Sequence, residues 1–303
     1  MFLASSKNYS ETSLSLALFF CGGIWGLYWI PLRNVESLGV SGAWSVFFVN
    51  ACPLIFLLPI LGFFYSDLKR EFWPSLLAGS VIGVAFTLYA SALVETTILR
   101  ATLLFYLSPI WGTLIGIIWL GEKLTYNRIL SILAAISGLI LLLWDTENSG
   151  YPLNIGDVFG FFCGIFWAIG SSMLNRWPKT PMLPLTTFVY LTTALISLIF
   201  AIFFYKETFP QKALLLSSFP STFLWSTVIL LPSFVIVFKI SQILFPGRVA
   251  ILLMSEVIVA LVSASILVPE EKMFFIQWIG GTAIILAGLI EVLPSSLKKN
   301  RAL

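Results

Sequence analysis

The chain has 303 residues, 59% of them hydrophobic and only 10% charged, with a formal net charge of +3. About a quarter of a soluble domain's residues are charged, so this composition points to a polytopic membrane protein and away from a soluble enzyme. The small positive balance, without basic clusters interleaved with stacking aromatics, excludes a nucleic-acid partner, and with no histidine present no metal or cofactor is expected.

The first residues, MFLASSKNYSET, are polar. The apolar run after them has no small-residue cleavage site, so it is expected to be a first spanning helix and not a removed signal. Apolar runs separated by short polar loops then predict ten spanning helices, over 13–31, 40–65, 72–94, 99–120, 127–144, 156–175, 184–205, 221–242, 247–268 and 273–293. The longest connectors, 145–154 and 206–220, carry turn residues and read as plain loops. Cys21, Cys52 and Cys163 all fall inside apolar runs and read as small packing residues. With the N-terminus inside, eleven of the 17 Lys and Arg fall in inner segments and five in outer ones, with Lys239 inside helix eight. The excess of positive charge inside predicts an inner-membrane protein with both termini cytoplasmic.

Two stretches organise the rest. Residues 100–122 and 248–270 both open on Arg and close on Glu, at a constant offset of 148. FFCGGIW at 19–25 likewise matches FFCGIFW at 161–167. Five helices per half is an odd number, so the second half must enter the membrane upside down. The predicted fold is an all-α membrane protein of ten transmembrane helices in two inverted five-helix repeats, residues 1–150 and 151–303. That arrangement is the hallmark of secondary transporters, with substrate bound near the membrane midplane. Glycines recur at four-residue spacing: Gly22 and Gly26, Gly79 and Gly83, Gly112 and Gly116, and Gly156, Gly160 and Gly164. On helices such rows let neighbouring backbones approach closely. Pro53, Pro59, Pro109 and Pro232 free backbone carbonyls, and Pro109, directly after Ser108, predicts a break at the depth of Glu256.

Glu256 stands where Ser108 stands in the first copy, about 12 Å into the bilayer at 1.5 Å per helical residue. An acid at that depth marks a functional site by default. It is a candidate proton carrier, a counter-ion to a substrate amine, or a static partner for Lys239. Lys239 in turn either snorkels to the cytoplasmic interface or neutralises Glu256 or a substrate carboxylate. Arg100 and Arg248 open their helices, where the helix dipole disfavours cations. They are expected to form ion pairs at the two mouths, with Glu95 and Glu270 as partners of Arg100, and to serve as gates. Trp25, Trp111 and Trp167, with Tyr89 and Tyr106, lie deep in their helices. They are read either as core packing or, with Glu256, as an aromatic cage for an ammonium group.

Several stretches carry a resemblance: WG at 25–26, YASALVETT at 89–97, LLFYLSPIWGTLIGIIWLGEKLT at 103–125, IGDVFGFFCGIFWAIGSS at 155–172 and IGGTAIILAGLIEVL at 279–293. Over essentially its whole length the chain resembles the drug/metabolite transporter superfamily, specifically the ten-helix EamA-type proteins. The resemblance implies a basket-like bundle around a central cavity lined by helices one, three, four, six, eight and nine. It also implies transport of a small molecule, members carrying amino acids, nucleotide sugars, sugar phosphates, choline or cationic drugs. The chain departs from the family pattern at Glu256 and in helix two, where Trp44 and Asn50 stand instead of an Arg.

No histidine, zinc motif or phosphate-cradling loop supports catalysis or ATP-driven transport. The expected function is secondary transport: proton-coupled export of amino acids, amines or related metabolites, or uncoupled exchange of a zwitterion or quaternary amine. An intramembrane enzyme or lipid scramblase is the reading from another class. The expected partners are a small-molecule substrate, the lipid bilayer and protons, with the chain acting as a monomer or weak dimer.

Overall fold

The computed structural model describes residues 10–108, 110–112, 114–115, 126–144, 152–244, 249, 252–268, 270 and 274–299. Helix is the only regular secondary structure among them. Among the described residues six helices are long and apolar enough to cross a membrane: α1 (Glu11–Ser37), α2 (Gly42–Arg70), α3 (Phe72–Glu95), α6 (Ile155–Arg176), α7 (Met182–Phe204) and α8 (Lys212–Ser241). Four further helices accompany them: α4 (Ile98–Gly112), α5 (Tyr126–Leu142), α9 (Ser255–Leu267) and α10 (Phe275–Lys299). Helices are the form expected here, because hydrocarbon offers no partners for backbone N–H and C=O groups. Capping side chains fix several starts. The Ser10 hydroxyl accepts from Ser13 N, Thr97 accepts from Arg100 N, and Asn154 forms a capping box with Asp157.

The polarity of the bundle suits lipid. Phe20, Phe63, Phe203 and Phe275 are all more than 60% exposed, while Ser45, Thr87, Thr186 and Thr193 are wholly buried. These four hydroxyls each donate to a carbonyl about one turn back, while the hydroxyls of Ser75, Tyr190, Tyr205 and Thr222 have no hydrogen-bond partner among the described residues.

Helix contacts define the centre. α3 lies between α6 and α7, α2 packs on α7, and α5 packs on α10. α1 touches α8 and α9, α6 touches α4, and α4 touches α9. The glycine rows face these contacts, α1 turning Gly22 and Gly26 toward α9 and α6 turning Gly160 and Gly164 toward α4. At the α5–α10 crossing, a Cβ on Gly138 would meet Gly280 O at 2.7 Å, and one on Gly280 would meet Gly138 O at 2.6 Å. Only glycine at both positions allows the two backbones to touch. Gly112 has open space instead, so the row expected there packs against nothing at that residue.

Two differences from expectation concern continuity. The connector expected over 206–220 is helical from Lys212, and α8 runs 30 residues to Ser241. Its ALLL run propagates a helix, and Pro220 inside it is followed by a π-helical stretch, Leu224–Leu230, which absorbs the lost backbone bond. The second concerns the two shorter central helices. α4 is interrupted by a turn at Tyr106 and Leu107, just ahead of Pro109, and the second by a turn at Met254 from which α9 starts. The break expected beside Pro109 is therefore present, and its counterpart lies 148 positions later without any proline.

Candidate functional site at the broken helices

Glu256 occupies the first turn of α9 and is 2% exposed. It stays there because α9 begins at Ser255, so the partial positive charge of the helix start faces its carboxyl. Its backbone carbonyl lies against Gly26 of α1, so closely that a Cβ on Gly26 would collide with it. Around the side chain stand Tyr106 of α4, Tyr89 of α3 and Cys163 of α6.

Tyr106 defines the geometry of the acid. Its hydroxyl oxygen lies 2.6 Å from Leu253 O and 3.1 Å from Glu256 Oε2. A phenol carries one proton, and the shorter contact, to a carbonyl that can only accept, takes it. The longer contact is then a hydrogen bond when the carboxyl supplies the proton to the phenol oxygen. The helix start favours charge at the same position, so the site accommodates the acid in either state. Tyr89 completes this side with its hydroxyl 3.3 Å from Thr102 Oγ1.

Next to the acid the bundle centre is filled by rings. Trp25 and Trp167 meet edge to face at 5.9 Å. Trp25 lies 4.7 Å from Phe234, and Phe234 lies 4.6 Å from Phe86. Trp167 continues to Phe105 at 6.1 Å, and Phe105 to Tyr89 at 4.9 Å. The Trp25 indole N–H donates to Ser233 Oγ at 3.0 Å. The structure thus brings Trp25, Trp167, Tyr89, Tyr106 and Glu256 together around a centre lined by rings. Phe86 and Phe234, which hold the cluster together, carried no distinguishing signal in a chain with 27 phenylalanines.

Other expected members lie apart. Trp111 packs on Phe161 at 5.0 Å, outside the central cluster. Ser108 is half-buried just past the α4 turn, where its backbone N faces Gly164. Lys239 is half-buried in the last turn of α8, a favourable place for a cation, and among the described residues no ion pair joins it to Glu256.

At the ends of the helices the ion pairs differ from expectation. Arg100, 3% exposed, pairs with Asp157 at 2.9 Å, and its guanidinium also donates to Thr96 Oγ1 at 2.7 Å and Pro152 O at 3.3 Å. Thr96 in turn donates to Asp157 Oδ1 at 2.9 Å. Asp157 was not singled out in the sequence, and it also accepts from Asn154 N at the start of α6. Glu270 lies exposed in a turn and makes no ion pair among the described residues. Glu95 neighbours Tyr205 at the end of α7, where burial first and the Glu95 carboxylate second push the phenol above its ordinary value. Arg248, the other expected gate, lies outside the described residues.

Residues 13–144, holding α1 to α5, match the EamA-like transporter family. The match is a likeness over somewhat less than half of the chain. YojE of Bacillus subtilis, described as an uncharacterized transporter, is 25% identical over 205 residues, 65% of each chain. The RarD protein of Escherichia coli is 26% identical over 160 residues, 49% of this chain and 51% of that one. The matches thus span between about half and two thirds of these relatives. A solved crystal structure aligns over 94% of this chain and 98% of its own with a TM-score of 0.58 at 18% identity, a likeness of fold. The family match and the relatives named as transporters support a likeness to the drug/metabolite transporter superfamily.

Proposed function

We propose that the protein is a secondary transporter of a small polar or cationic metabolite, built as two inverted five-helix repeats (residues 1–150 and 151–303) that alternate access to a central site. Glu256 is the acid that binds the substrate's cationic group or carries the coupling proton. Export driven by a proton gradient across the inner membrane, with both termini cytoplasmic, is the working form of this reading.

The observation that carries it is the pair of helix breaks. Tyr106 and Met254 differ by 148 positions, the spacing of the sequence repeat, and a buried carboxyl, Glu256, stands in the first turn after the second break. Paired contacts support the inversion: Gly164 faces Phe105 and Ser108, and Gly22, 142 positions before it, faces Leu253, 148 positions after Phe105. Broken helices whose free backbone ends face a buried site are how secondary transporters hold ions and charged groups at the midplane. The ring cluster favours a second reading, uncoupled exchange of a quaternary amine held against Trp25 and Trp167.

The test is Glu256→Gln in proteoliposomes, after a thermal-shift screen of amines and amino acids has supplied a substrate. Proton coupling predicts that flux driven by a pH gradient collapses while counterflow exchange survives. A counter-ion role predicts that both fall. Unchanged flux in both assays removes Glu256 from either role.

A further inference from the structure

A second buried polar group lies against the ring cluster at the bundle centre. Tyr190 of α7 is 2% exposed, and among the described residues its hydroxyl has no hydrogen-bond partner. Its ring stands 5.4 Å from Phe234, whose own neighbours are Phe86 and Trp25. Tyr28 of α1 lies next to it, and that residue is differently placed. The Tyr28 hydroxyl is 3.0 Å from Asn50 Oδ1 and 2.8 Å from Asn50 Nδ2, and Nδ2 also donates to Val46 O at 2.8 Å. Tyr28 and Asn50 therefore satisfy each other, and Tyr190 is left with an unused donor.

A buried hydroxyl without a partner costs the fold the desolvation of that group. Packing gives no reason for it, since a phenylalanine would fill the same space without that cost. A run of tyrosine rings leads from the unused donor to the acid. Tyr28 stacks on Tyr89 at 6.4 Å and 29°, and Tyr89 faces Glu256.

We infer that Tyr190, backed by Tyr28 and Asn50, is a substrate-binding donor that takes a carbonyl or carboxylate oxygen. The ligand is then bipolar, with an acceptor oxygen at Tyr190, a flat apolar body against Phe86, Phe234 and Trp25, and a cationic end toward Glu256. This rests on the reading of the bundle centre as the substrate site.

The experiment compares the purified wild-type protein with Tyr190→Phe by thermal unfolding. The probes are benzamide (acceptor only), benzylamine (amine only), para-aminomethylbenzamide (both) and para-aminomethylbenzoate (carboxylate in place of carbonyl). Without probe, Tyr190→Phe unfolds at the wild-type temperature or above it, because the variant removes a group that has no partner. Its apparent affinity for the three acceptor-bearing probes falls roughly three- to tenfold, the value of one hydrogen bond, while its affinity for benzylamine is unchanged. Whichever of the last two probes loses more tells carbonyl from carboxylate. Tyr28→Phe is the contrast, since it strips Asn50 of a partner and lowers the unfolding temperature without any probe. The inference is overturned if Tyr190→Phe is itself destabilised, if its acceptor probes bind as in wild type, or if no acceptor probe stabilises the wild type. Failure of benzylamine alone counts against Glu256 as a cation site and leaves the donor in place.

Discussion

Tyr106 and Glu256 are 150 positions apart in sequence and 3.1 Å apart in space, and the same phenol oxygen reaches Leu253 O at 2.6 Å. One side chain on the first broken helix thus holds both the freed carbonyl and the acid of the second. The contact ties α4 to α9, so any rearrangement that parts these two helices must also strip the acid of this partner.

Tyr106→Phe leaves Leu253 O and Glu256 without that partner. Since a buried polar group left alone costs about 1–3 kcal/mol, the variant should unfold at lower temperature by that amount. Its transport should also respond differently to pH from the wild type, because the group that shares the acid's proton is gone. Denaturation in detergent and flux across a pH series check both, and a stability equal to wild type would show that the phenol is not a shared partner.

Arg100 and Asp157 make a second contact between helices, a buried pair in which removing one member strands the other. Asp157→Ala and Arg100→Ala should each lose about 3–5 kcal/mol, and the double change Arg100→Met with Asp157→Leu should recover most of it. The Asp157 variants also lose a cap worth about 1 kcal/mol, so recovery will fall short by that much. Additive losses in the thermal melts would mean that the two residues act separately.

Much of this was readable before the structure. The apolar runs marked most of the helices, Pro109 marked the first break, and an acid in an apolar run singled out Glu256 as a candidate; the break at Met254, which has no proline, carried no such mark. What was not readable depended on packing across helices. Asp157 has a complete local explanation as a cap, so nothing in its own stretch asks for Arg100. Lys212–Pro220 contains turn residues that a loop would use, yet its apolar middle carries the helix through once a π-helical stretch makes room. Trp25 and Trp111 look alike in sequence, and only the orientation of their helices sends one to Trp167 and the other to Phe161.

Gly26 and Gly112 make a matched test of close approach. A Cβ on Gly26 would strike the Glu256 backbone and lie 3.0 Å from Ala260 N, whereas one on Gly112 would meet nothing within 4 Å. Gly26→Ala should therefore push α1 off α9 and cost about 1–3 kcal/mol, as overpacking does. Gly112→Ala should be neutral, or stabilise by the helix propensity gained, up to about 1 kcal/mol. Equal effects of the two in thermal unfolding would contradict the α1–α9 packing.

Lys239 tests whether the acid depends on a fixed cation. With no ion pair joining it to Glu256 among the described residues, Lys239→Gln removes only a half-buried charge at the end of α8. The favourable interaction of that charge with the helix end is worth about 0.3–1 kcal/mol, so the loss of stability should be no larger. Counterflow and gradient-driven flux should both keep their wild-type pH dependence. A Lys239→Gln protein that reproduces the Glu256→Gln phenotype would mean that the two charges meet in another conformation, with opening of the bundle replacing Tyr106 by Lys239 at the carboxyl. Parallel flux measurements on the two single variants and their double decide it: independent residues give effects that multiply, and coupled ones give a double no worse than either single.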